Sequence, residues 1–147
     1  MARTGAAGGE PRARAAGVSP ETISPVRRRM EVVTGLIQAH RYTWQNEAEL
    51  QGHLHRVFTM AGLPVQREVR LSPEDRPDFL VGDVAVEVKV AGSLEDALRQ
   101  VQRYLRHDRV GGLVLATSVS RHRLPADVAA ETLTWEKPVG FAWVRSK

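Results

Sequence analysis

The stretch Asp78-Phe-Leu-Val-Gly-Asp-Val-Ala-Val-Glu-Val-Lys-Val90 constrains this chain more than any other segment. Two apolar, β-branched-rich runs flank Gly82-Asp83, a residue pair suited to a two-residue hairpin turn. If those two residues form the loop, Val81 faces Val84, and counting outward sets Asp78 directly opposite Glu87. Side chains alternate along a strand, so Val84, Val86, Val88 and Val90 share one face, while Glu87 and Lys89 share the other with Asp78. The valine face is expected to enter the core. Opposed residues carry Cβ atoms roughly 4.5–5.5 Å apart, and like charges so placed repel. Two explanations remain open from the charges alone: a solvated Glu–Lys ladder, or a site where a hard cation offsets the repulsion with oxygen ligands.

The rest of the chain supplies elements around that hairpin. Residues 24–40 suit a short helix opened by Ser24 and Pro25, with Gly35 weakening the pattern. Asn46 caps a second helix, whose stripe of Leu50, Leu54, Val57, Phe58 and Ala61 ends at Gly62 and Pro64. Residues 65–71 alternate as a strand, with Val65, Val69 and Leu71 on one face, and residues 72–77 form a loop. Gly92 ends the hairpin's second arm. Ser93, with Asp96 three residues on, caps a helix expected to bury Leu94, Leu98, Val101 and Leu105. A strand follows over 113–118, then a short helix near 126–131 and a last strand over 140–146. This order predicts an α/β domain with a mixed central sheet flanked by helices.

Several side chains join the hairpin acids as candidates. Glu47 lies on the buried stripe of its helix. A carboxylate there either serves a site or is a first-turn acid favoured by the helix dipole. Gln100 and Tyr104 are neighbours at i, i+4. Arg99, Arg103 and Arg106 line another face of that helix, either as a phosphate-tracking ridge or as a solvated basic face. His53 and His55 fall on different helical faces, and with no cysteine in the sequence a zinc site is not expected. His107, Asp108 and His122 sit in polar surroundings and are expected in solvent. Trp44, Trp135 and Trp143 are expected to pack at the domain edge rather than stack on bases.

Length and charge bound the organisation. A chain of 147 residues suits one domain. Apolar residues make up 42% but aromatics only 5%, so the core must be aliphatic. Arg3, Arg12, Arg14, Arg27, Arg28 and Arg29 against Glu10 and Glu21 account for the whole formal excess of +4. Residues 1–30 therefore read as a disordered basic arm that either solubilises the chain or adds salt-sensitive attraction to phosphates, and 31–147 as the single domain. No apolar run suits a membrane span or a secretory signal, so a cytoplasmic protein is expected.

Taken together, Pro77-Asp78, Glu87-Val88-Lys89, the helix acid Glu47, and the Gln100…Tyr104 pair resemble the PD-(D/E)xK nuclease superfamily over residues 45–118. The context of Glu47 is similar to archaeal-type Holliday junction resolvases, and the Gln-x-x-x-Tyr element to the RecB-like, Cas4-like and phage exonuclease branch. The resemblance implies a restriction-endonuclease-like core and Mg²⁺-dependent hydrolysis of DNA, with Mn²⁺ as a substitute. It implies that Asp78, Glu87 and the Val88 carbonyl bind the metal, with Glu47 directly or through water, and that Lys89 orients the attacking water. Gln100 and Tyr104 would position Lys89, the substrate strand or the helix. A homo-oligomer is expected, in a bacterial or phage-infected cell, with a role in DNA recombination, repair or phage DNA processing. Endonuclease and exonuclease versions both fit. The competing classes are a non-catalytic nucleic-acid-binding module retaining the fold, and an assembly component whose basic arm docks on a partner.

Overall fold

The computed structural model describes residues 23–123 and 131–147. Helix α1 (Pro25–Gln38) opens where Ser24 accepts a hydrogen bond from the Arg27 N–H at 3.2 Å, with Pro25 in the first turn. Met30, Val33 and Ile37 are its buried face. This moves the expected boundary at residue 30: Pro25–Met30 are helical, and Met30 is part of the core. The N-terminal arm over residues 1–22, and most of the helix expected near 126–131, lie outside the described residues.

A two-residue strand β1 (Arg41–Tyr42) leads to α2 (Glu47–Met60), capped by the Asn46 side chain at the Glu49 N–H. Leu50, Leu54 and Phe58 are buried as the stripe requires. Ala61 instead ends the helix in solvent, because α2 stops at Met60. Then follow β2 (Val65–Arg67), β3 (Phe79–Val81), β4 (Val84–Lys89), α3 (Leu94–Leu105), β5 (Gly112–Thr117), β6 (Val139–Trp143) and β7 (Arg145–Ser146). The last expected strand is thus divided: β6 joins the main sheet, while β7 pairs with β1 in a separate two-stranded ribbon.

The main sheet runs β2-β3-β4-β5-β6, antiparallel through β4 and parallel from β4 to β6. The domain is therefore mixed α/β, with a mixed five-stranded sheet and helices on both faces. One face buries Val84, Val86 and Val88 with Phe79, Val81, Val114 and Ala116 under α1 and α2. The other buries Leu80, Ala85, Leu113 and Leu115 under α3. Since β4 is covered on both faces and paired on both edges, its run of apolar residues needs no polar alternation.

Two expectations about faces change. The strand predicted over 65–71 ends at Arg67, because Glu68 adopts a positive φ of 50°. That break turns the chain, so Val65 packs on the α1/α2 cluster while Val69 and Leu71 pack on the α3 cluster. The buried stripe of α3 is Ala97, Val101, Tyr104 and Leu105, with Leu94 and Leu98 only partly covered. The helix is rotated towards Tyr104, whose hydroxyl accepts a hydrogen bond from the Gln100 side-chain amide at 3.0 Å and so meets the need of a buried phenol for a partner.

Candidate active site

The hairpin register is the one the turn dictates: Val81 pairs with Val84, Leu80 with Ala85 and Phe79 with Val86. Gly82 takes φ 62°, the left-handed conformation such a turn demands. One step beyond the ladder, Asp78 stands across from Glu87. The regular strand stops there, and the carboxylates continue the pairing. The Asp78 N–H donates to Glu87 Oε1 at 3.2 Å, and the Val88 N–H donates to Asp78 Oδ2 at 2.8 Å. Lys89 completes the group, with its Nζ 3.5 Å from Glu87 Oε2.

Burial makes this cluster costly. Glu87 is only 5% exposed. Burial, and then the neighbouring Asp78 charge, push the Glu87 carboxyl far above its ordinary range, against the pull of Lys89. Asp78 is also raised, by burial first, with the Val88 N–H opposing and Glu47 adding repulsion. The Tyr104 hydroxyl, buried and facing Glu87 and Asp78, is raised as well. A buried carboxyl beside a half-buried one, with one partly exposed amine, is electrostatically unfinished, and perturbed groups of this kind cluster at functional sites.

The predicted residues fall into three groups. Asp78, Glu87, Val88 and Lys89 meet at the end of the hairpin. Gln100 and Tyr104 are hydrogen-bonded to one another on α3, and the site acids act electrostatically on the Tyr104 phenol. Glu47 lies within electrostatic reach of both acids, yet its carboxylate accepts a 3.4 Å hydrogen bond from Gln51 on its own helix. Among the described residues no three His, Asp or Glu side chains gather into a ready-made cation cage. The donor set at hand is two carboxylates and the Val88 carbonyl. It suits Mg²⁺, which keeps several waters and binds through one or two carboxylates plus substrate phosphate oxygens.

An open groove of about 560 Å³ runs from Lys89 past Ser93 and Gln100 to Arg99, Arg103 and Arg106. The three arginines do line one surface, but they are not equivalent. Arg99 is ion-paired with Asp96 in solvent. Arg103 donates through Nε and a terminal nitrogen to Asp75 Oδ1 at 3.0 and 2.9 Å.

Asp75 was not legible as a site residue. It is buried in the loop before Asp78, where it also accepts from His107 Nε2 at 2.8 Å. The His107 hydrogen bond, aided by Arg103 and opposed by burial, holds its carboxyl below the usual range. Two histidines expected in solvent are therefore elsewhere: His107 is partly buried against Asp75, and His122 is fully buried between Thr117 and Gly92. The tryptophans pack as expected: Trp44 and Trp135 join the two core clusters, and Trp143 lies under the Arg123 guanidinium.

Comparison with known family profiles, curated proteins and solved structures gives no match. Among the described residues, no helix is long and apolar enough to cross a membrane.

Proposed function

We propose that this chain is a metal-dependent nuclease that hydrolyses phosphodiester bonds in DNA, with a restriction-endonuclease-like core of the PD-(D/E)xK type. One observation carries the reading: half-buried Asp78, just before β3, stands beside buried Glu87 on β4, both pushed towards protonation, with Lys89 beside them and a basic groove leading away. The two carboxylates accept backbone N–H groups where the ladder ends, but a neutral acceptor would serve that purpose without the cost of two adjacent charges.

Asp78, Glu87 and the Val88 carbonyl would hold a divalent cation, which when bound would supply Lewis acidity. The chain's own groups supply the rest. Lys89 holds a positive charge at the mouth of the groove, where negative charge develops on a phosphate in the transition state. Tyr104, fixed by Gln100, walls the site on the α3 side and limits water around the acids. Arg99 and Arg106 offer charge to the backbone of a nucleic-acid strand lying along α3, which sets position without reading bases. DNA is thus the expected partner, inside a bacterial or phage-infected cell, with assembly into a homo-oligomer bringing active sites together.

The test is cleavage of supercoiled and linear DNA by the purified chain in Mg²⁺ or Mn²⁺, with and without EDTA. Wild-type protein is expected to cut and to stop with EDTA, and Lys89→Ala and Asp78→Asn are expected to lose at least about a hundredfold in rate. Cutting that survives both substitutions would refute the assignment.

A further inference from the structure

At the far end of β4 the structure contains a buried polar relay outside the acid cluster. Thr117 closes β5 in register with Lys89, and the short 3₁₀ turn Ser120–His122 folds the His122 ring back beneath it. Both side chains are fully buried. The Val119 N–H donates to Thr117 Oγ1 at 3.0 Å. Thr117 Oγ1 lies 2.7 Å from His122 Nδ1, and His122 Nε2 lies 3.1 Å from the Gly92 carbonyl oxygen.

The donors and acceptors leave one arrangement that satisfies every group. A carbonyl oxygen only accepts, so His122 Nε2 carries the hydrogen. Nδ1 is then an acceptor for the Thr117 hydroxyl, whose oxygen in turn takes the Val119 N–H. The chain of bonds ends on Gly92, which has a φ of 97° and joins the strand carrying Glu87 and Lys89 to the helix carrying Gln100 and Tyr104. The same joint is tied on its strand side by the Ser118 N–H, which donates to the Lys89 carbonyl at 3.1 Å. A buried ring with both nitrogens committed is a poor choice for filling space, since a phenylalanine fills it without polar cost.

We propose that His122 is a positioning residue for the reaction: by tying the Gly92 carbonyl to Thr117 on β5, it fixes Lys89 relative to Gln100 and Tyr104. This rests on the hydrolase reading above. Gln at 122 keeps a nitrogen able to reach the Gly92 carbonyl, Asn is too short, and Phe keeps the volume but donates nothing.

The test compares wild type, His122→Gln, His122→Asn and His122→Phe for cleavage of linear duplex DNA in Mn²⁺, with thermal melting of each. It adds the ¹⁵N-histidine NMR spectrum of the wild-type chain. The expected result is a kcat about tenfold to a hundredfold lower for Asn and Phe, as for a small misplacement of a reacting group. KM should stay within about twofold, and Gln should recover most of the rate. The His122 resonances should show the hydrogen on Nε2. A folded His122→Phe with wild-type kcat, equal losses for Gln and Phe, or a hydrogen on Nδ1 would overturn the inference while leaving the nuclease reading intact. A wild-type chain that binds DNA but never cuts it would overturn both.

Discussion

Replacing Glu87 with Gln separates a cation site from a structural ion pair, because the two predict opposite signs for stability. The Glu87 carboxyl is pushed up from an ordinary 4.5 to about 8 by burial and by Asp78, even with Lys89 at hand. Each pKa unit corresponds to about 1.4 kcal/mol between the protonation states. Sharing the effect with the coupled Asp78 leaves about 2 kcal/mol of stability lost near pH 7.5, because the folded chain keeps a proton on Glu87 that the unfolded chain releases. The sign follows from linkage. With the folded pKa above the unfolded one, the contribution to stability is complete below about pH 4.5 and is lost as pH rises towards about 8. Glu87→Gln keeps the volume and removes the charge. In EDTA at pH 7.5 it should melt about 5–10 °C above wild type, with the gap closing below pH 4.5. Mg²⁺ or Mn²⁺ should raise the wild-type midpoint and not that of the variant, while the variant loses cleavage. Circular dichroism melts across pH 4–8.5, with and without metal, measure all of this. A variant that melts below wild type at pH 7.5 would mean that Lys89 already satisfies the carboxylate, and the argument for a cation would fail.

Other substitutions probe the surroundings. Asp75→Ala should cost about 1–3 kcal/mol in urea unfolding, because it strips a buried acceptor from Arg103 and His107. Arg99→Ala and Arg106→Ala should each flatten the salt dependence of DNA binding by about one unit of slope without changing the melting midpoint. Arg103→Ala should do so and also destabilise, since it leaves Asp75 with His107 alone. Gly82→Ala should cost about 1–2 kcal/mol. Its φ is left-handed, and a Cβ there would strike the Arg29 guanidinium. Denaturant midpoints test that estimate, and an unchanged midpoint would refute it.

What could be read from the sequence was what is local. A two-residue turn permits one register, and the period of two then assigns every hairpin side chain to a face. Asp78, Glu87 and Lys89 followed without any knowledge of the neighbouring strands. The helix caps at Ser24, Asn46 and Ser93 were legible for the same reason. The break at Glu68 was not, because a non-glycine residue at positive φ leaves no compositional trace. Asp75, His107 and His122 were hidden by distance along the chain. Their partners stand about thirty positions away, and polar residues in a polar loop look alike until the fold selects which of them to bury. The rotation of α3 was likewise set by Tyr104, an aromatic that the alternation of leucines outvoted.

The strand bearing Glu87 and Lys89 is where the sheet changes from antiparallel to parallel pairing, with neighbours bonded along both edges. Such a strand cannot swing without tearing two ladders. Any opening that admits a nucleic acid or releases a cut end must therefore come from outside this strand, while Glu87 and Lys89 stay anchored like a fixed jaw.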